Sequence, residues 1–104
     1  MQTVEERVQA GAQFLDKHHP GWEMKLDPAF LYMESNFRCV LGQLFGSFGT
    51  GLNHFGFDQM EAANLGFNAY TRAETTKLTE TWKKLIQYRQ AATLKAENKG
   101  IVAD

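Results

Sequence analysis

Apolar positions recur at Val4, Val8, Gly11, Ala12 and Leu15, which is one stripe of an amphipathic helix. Thr3-Val4-Glu5-Glu6 ahead of the stripe is a capping-box pattern, in which the Thr3 hydroxyl accepts from a first-turn N–H and Glu6 reaches back to the cap. His18-His19-Pro20-Gly21 closes the segment, so a helix is predicted between these signals. The imidazoles there are expected to meet free carbonyls at the helix end. Trp22, Met24 and Leu26 alternate like a strand, yet Trp22, Leu26 and Phe30 stand four apart like a helix face, and the segment is too short for its period to decide. Asp27-Pro28 is a cap followed by the residue favoured at the first helical position, and predicts a short helical turn over Pro28–Met33.

Ser35 or Asn36 then stands ready to cap a helix over about Phe37–Phe48. It carries Phe37, Val40, Leu41, Leu44, Phe45 and Phe48 on one broad face, and Cys39, Gly42 and Gly46 on the other. Two glycines inside a soluble helix cost roughly 1 kcal/mol each, so a neighbouring backbone is expected against both. This would make the helix the central one. His54-Phe55-Gly56-Phe57-Asp58 and Asn64-Leu65-Gly66-Phe67-Asn68 repeat Gly-Phe-Asx ten residues apart. Each reads as a helix end: left-handed Gly, an apolar contact from Phe, and an Asx to cap the next element. Asp58 with Glu61 predicts a short helix over about Gln59–Leu65. Thr71 with Glu74, or Thr75 or Thr76, begins the longest helix, whose stripe Leu78, Trp82, Leu85, Ile86 tapers to Arg89, Ala92 and Ala96. That helix is expected to end near Asn98-Lys99-Gly100, with residues 101–104 frayed. The fold class expected is all-α, a compact bundle of four to five helices with a central glycine-containing helix and a long C-terminal one. Residues 1–104 form a single domain in this reading.

Composition adds limits. The chain has 104 residues, 43% of them hydrophobic, enough for one core and too many for low-complexity disorder. No stretch reaches the ~18 apolar residues of a membrane span, and Met1-Gln2-Thr3-Val4-Glu5-Glu6 does not resemble a secretory signal. A cytoplasmic protein without membrane contact is expected, and the single cysteine, Cys39, agrees with a reducing compartment. The net charge of −1 is unevenly spread. Residues 1–71 hold four basic side chains against eight acids, net −4, while residues 72–104 hold seven against four, net +3.

No constellation reaches a catalytic motif. Gly46 and Gly51 have P-loop spacing but are followed by Leu52-Asn53 in place of Lys and Ser/Thr, and Gly46, Gly49 and Gly51 run in the wrong order for a dinucleotide fingerprint. His18, His19 and His54 lack metal-ligand spacing. Cys39 beside Arg38 invites a nucleophile reading, but its glycine companions favour a buried structural thiol. No catalytic residue, cofactor or metal is therefore assigned. Lys77, Lys83, Lys84, Arg89, Lys95 and Lys99 could meet phosphates, with Tyr88 or Trp82 stacking on bases.

The run Arg38-Cys39-Val40-Leu41-Gly42-Gln43-Leu44-Phe45-Gly46, followed by Phe48, Gly51, Leu52 and Gly56-Phe57, resembles small uncharacterised proteins of actinobacteria and their bacteriophages that carry Cys-Val-Leu-Gly-Gln-Leu-[Phe/Tyr]-Gly. The similarity extends from the first helix through Pro20-Gly21-Trp22 to Trp82-Leu85-Ile86. It implies a phage or prophage gene acting inside the host cell, and brings no site residues with it. The function expected is that of a small non-enzymatic protein-interaction protein. Its contacts would be Lys83, Lys84, Tyr88 and Arg89, with any aromatic left uncovered in Phe48–Phe57. The alternatives are a nucleic-acid-binding regulator using the basic last helix, and a homodimer through the tapered one.

Overall fold

A computed structural model describes residues 2–102. The chain is an all-α bundle, and no strand occurs among the described residues. Its helices are α1 (Val4–His18), α2 (Val40–Phe45), α3 (Phe48–Phe55), α4 (Gln59–Asn64) and α5 (Thr75–Val102), with single 3-10 turns at Trp22–Lys25 and Arg72–Glu74. Both arms of the predicted capping box close at the start of α1: Glu6 N–H donates to Thr3 Oγ1 at 3.1 Å, and Thr3 N–H donates to Glu6 Oε1 at 2.9 Å. The Asp58–Glu61 pair does the same for α4.

The predicted central helix is two helices. Ser35 Oγ accepts the N–H groups of Phe37 and Arg38, both at 3.2 Å, which holds that stretch in a turn and delays the helix to Val40. Cys39 is the cap, its Sγ accepting from Gly42 N–H at 3.2 Å. At the other end Gly46 turns to φ +96° and Ser47 caps a fresh helix by accepting from Thr50 N–H at 3.0 Å. The two glycines thus have different duties. A side chain at Gly42 would collide with the backbone of Asn36 and Phe37, as expected, but the surroundings of Gly46 are open and its φ is what calls for glycine.

Other expectations also give way locally. The Trp22 segment resolves as a 3-10 turn led by Gly21 at φ +81°. Asp27 Oδ1 accepts Ala29 N–H, and the chain bends at residues 28–30 without going on to a helix through Met33. Gln43 secures this bend from α2, accepting from Asp27 N–H at 2.8 Å and donating to Asp27 O and Arg38 O. Helix α5 continues through Val102, past the end expected at Asn98-Lys99-Gly100; of the stretch expected to fray, residues 103–104 lie outside the described residues.

Trp82 of α5 is the middle of the core. It stacks on Phe67 at 5.8 Å between ring centres, meets Trp22 edge-on at 6.0 Å, and donates its indole N–H to Gly66 O. Val8, Leu15, Leu31, Leu41, Leu78 and Ile86 fill the space around it. Close approach of α1 to the end of α4 needs Gly11, where any side chain would strike Leu65 O. Among the described residues the one buried charge is Arg7, 1% exposed. Its guanidinium donates to Ala63 O at 2.8 Å and Asn68 O at 2.9 Å, pairs with Glu74 at 2.8 Å, and lies 3.8 Å from the Tyr70 ring centre. Every face of it is thereby occupied, as burial of a charge requires.

Candidate functional site

The side chains singled out on α5 separate into two groups. Lys84 and Tyr88 are exposed, Tyr88 by 73%, and Lys83 is half-buried. No ion pair involves Lys83 or Lys84 among the described residues. Arg89 instead holds the fold together, with Nη1 donating to both carboxylate oxygens of Asp16 at 2.9 and 3.1 Å. Burial pushes the Asp16 carboxyl up, but the hydrogen bonds from Arg89 and from the Trp22 indole prevail and leave it below the ordinary value. Lys77 pairs with Glu5. Trp82 is fully buried, so stacking on a base falls to Tyr88 alone. Gln90 also faces inward, donating to Glu23 O and Leu26 O, which fastens the middle of α5 to the 3-10 turn.

The segment Phe48–Phe57, in which any uncovered aromatic is a candidate contact, is mostly α3 and packs its rings. Phe48, Phe55 and Phe57 lie against the core, and Phe55 meets Phe14 and Phe45 edge-on. All three histidines border this aromatic cluster. His18 packs on Phe14, His19 on Phe45, and His54 stacks on Phe45 at 4.6 Å. The imidazoles of His18 and His19 thus meet rings where helix-end carbonyls were expected. Burial, with Lys25 and His54 nearby, pulls His19 below its usual value.

Exposed aromatics gather elsewhere, in the loop from Phe30 to Arg38. Phe30 is 49% exposed, Tyr32 40% and Phe37 66%. Helical spacing predicts Phe37 on a core face; the Ser35 turn puts it outside the helix and in solvent. The Arg38 guanidinium sits 4.7 Å from the Phe30 ring centre and 5.7 Å from that of Tyr32, and its Nε donates to Phe30 O at 2.9 Å. Tyr32 O–H donates to Glu34 at 2.6 Å, and Arg72 pairs with the same carboxylate at 3.2 Å. The Tyr32 hydrogen bond, followed by that of Arg72, lowers the Glu34 carboxyl; in return the Tyr32 phenol is raised. The sequence conceals this surface, since Phe30 stands four residues from Leu26 like a helix face and Phe37 shares helical spacing with Val40, Leu41 and Leu44.

Behind the loop lies a polar cleft of about 350 Å³ between Asn36, Gln59, Asn68, Arg72 and Thr75, with Cys39 at its floor. Burial pushes the Cys39 thiol up, against the pull of the Gly42 N–H, so the thiol form is favoured. Cys39 is 1% exposed, as a structural cysteine should be. Among the described residues no three His, Cys, Asp or Glu side chains gather as metal ligands, and no helix is long and apolar enough to cross a membrane. Comparison with protein-family models, with curated proteins and with solved structures finds no match to this chain.

Proposed function

We propose that this chain is a small protein-interaction protein that meets its partner through the loop Phe30–Arg38. The supporting observation is the exposure of Phe30, Tyr32 and Phe37 in one loop, with Arg38 stacked over two of the rings. Aromatic side chains and arginine are the residues that supply most binding energy at protein interfaces. Gln43 braces the loop from beneath, so its aromatic rings are held ready before binding and less ordering cost remains to be met. A phage or prophage gene product working in the host cytoplasm, the origin suggested by the Cys39–Gly46 resemblance, would have use for such a host-directed surface.

The test is affinity capture from an actinobacterial lysate with the native chain and with Phe30→Ser/Phe37→Ser, followed by mass spectrometry. One protein recovered by the native chain and lost with the double variant is the expected result. Equal recovery by both, or recovery of nothing, overturns the reading.

A second reading is favoured by Lys83, Lys84 and Tyr88 on α5: contact with nucleic acid along that helix. It requires duplex DNA binding that weakens steeply with salt and is lost in Lys83→Glu/Lys84→Glu. No retardation at low salt would remove it. Sedimentation of the native chain decides the homodimer through α5 on the same samples.

A further inference from the structure

We propose that the polar cleft binds a phosphate monoester, with its oxyanion held by Thr71, Arg72 and Thr75 and its organic part lodged against Met60 and Tyr70. This goes beyond the protein-binding reading and does not depend on it. The 3-10 turn Arg72–Glu74 runs directly into the 28 residues of α5, so Thr71 stands at the N-cap position of a single long helical run. No side chain caps that run, and the N–H groups of Arg72 and Ala73 have no acceptor among the described residues. Unmet N–H groups at the head of a long helix favour an anion.

An independent observation at the same place is Thr75. It is 8% exposed, and its hydroxyl makes no hydrogen bond among the described residues. No buried side-chain oxygen is left without a partner, so this hydroxyl opens onto the cleft that Thr75 lines. An open donor without a protein partner, on a residue otherwise 8% exposed, is a waiting contact for a ligand oxygen.

The local charges permit an anion. Glu34, on the same wall, already receives Tyr32 and Arg72. The Arg72 side chain is 90% exposed, and an exposed pair of this kind is held weakly enough for the guanidinium to turn to a phosphate. Glu74 is taken by Arg7 and by Tyr70 N–H. Asn36, Gln59 and Asn68, whose side chains carry amide groups, also line the cleft. Beside it, and sharing Tyr70 and Thr71, lies a hollow of about 410 Å³ bounded by Met60 and Glu74. Met60 is 62% exposed. An oxyanion in the cleft would therefore place an attached aromatic or alkyl group over Met60 and the Tyr70 ring.

The test is titration of the 15N-labelled chain with phenyl phosphate and with inorganic phosphate at matched ionic strength, following backbone amides by NMR. Saturable shifts centred on Arg72 and Ala73 are expected with both, phenyl phosphate binding about tenfold more tightly because of the hollow. Thr75→Val should weaken phenyl phosphate about tenfold, and Arg72→Gln by at least as much. Arg72 is a surface residue, so its variant decides the matter if Thr75→Val fails to fold. Shifts that sodium chloride reproduces, equal affinity for the two phosphates, or unchanged binding in Arg72→Gln would overturn the proposal.

Discussion

The turns at Gly56-Phe57-Asp58 and Gly66-Phe67-Asn68 share a phrase and a backbone but carry different tertiary loads. In each, the phenylalanine N–H reaches back to the carbonyl five residues earlier, Leu52 or Ala62, at 2.9 Å, and the glycine N–H to that of Asn53 or Ala63. The glycines stand at φ +71° and +72°. There the likeness ends. Gly56 faces open space, whereas a Cβ on Gly66 would come within 3.0 Å of the α1 backbone at Arg7 and Val8. Phe57 is half-buried; Phe67 is 1% exposed and stacked on Trp82. Arg7 grips the second turn from both sides, at Ala63 O and Asn68 O. Local sequence specifies the turn, and the company it keeps determines what the turn supports.

The widest gap should appear at the aromatic position. Phe67→Ala is expected to cost about 3–5 kcal/mol and Phe57→Ala roughly 1–2 kcal/mol, read from urea unfolding midpoints. Equal losses would place both turns in the core. Next come the glycines. Gly56→Ala should cost about 1–2 kcal/mol for the left-handed backbone alone, while Gly66→Ala adds about 1–3 kcal/mol for pushing α1 aside. Replacement of the Asx residues reverses the ranking. Asp58 caps α4 and its loss should cost about 1 kcal/mol, but Asn68 caps no helix, its Oδ1 accepting only its own neighbour's N–H, so Asn68→Ala should stay within about 0.5 kcal/mol.

Acid provides the subtlest separation. Because His19 is held below its unfolded value, the unfolded chain takes up its proton first. The stability associated with neutral His19 is full above the unfolded value of about 6.5 and declines as pH falls through and below it. His19 packs on Phe45, which packs on Phe55 at the end of α3, so acidification from pH 7.5 to 5.5 should lower hydrogen-exchange protection around the first turn. The second turn, held by Arg7, should keep its protection. Loss at both turns together, or at neither, would sever the histidine from the first turn.

These two turns also mark how far the sequence could be read. Caps and Schellman ends depend on residues three to five apart, so α1, α4 and the glycine conformations at Gly56 and Gly66 were visible in the chain itself. The break at Gly46-Ser47 was hidden because an apolar stripe continues across it: Val40, Leu41, Leu44, Phe45 and Phe48 keep helical spacing although the axis changes. Gly42 and Gly46 looked alike for the same reason, and only the neighbouring backbone of Asn36 distinguishes them. Of the candidate interaction residues, Lys84 and Tyr88 could be placed in solvent from the taper of α5. The pairing of Arg89 with Asp16 spans 73 residues and leaves no local mark. The cleft was equally hidden, since Asn36, Gln59 and Thr75 meet only through tertiary folding.

Arg7 has a further consequence during synthesis. It leaves the ribosome ahead of every group it binds, since its acceptors belong to residues 63–74, and the Trp82 that closes over the same junction comes later still. Until those residues emerge, α1 presents an unmatched guanidinium beside an apolar stripe and has no core to enter. Synthesis must therefore run past Trp82 before this core can close, and a pause or truncation ahead of α5 would hand an unsealed helix to chaperones and proteases.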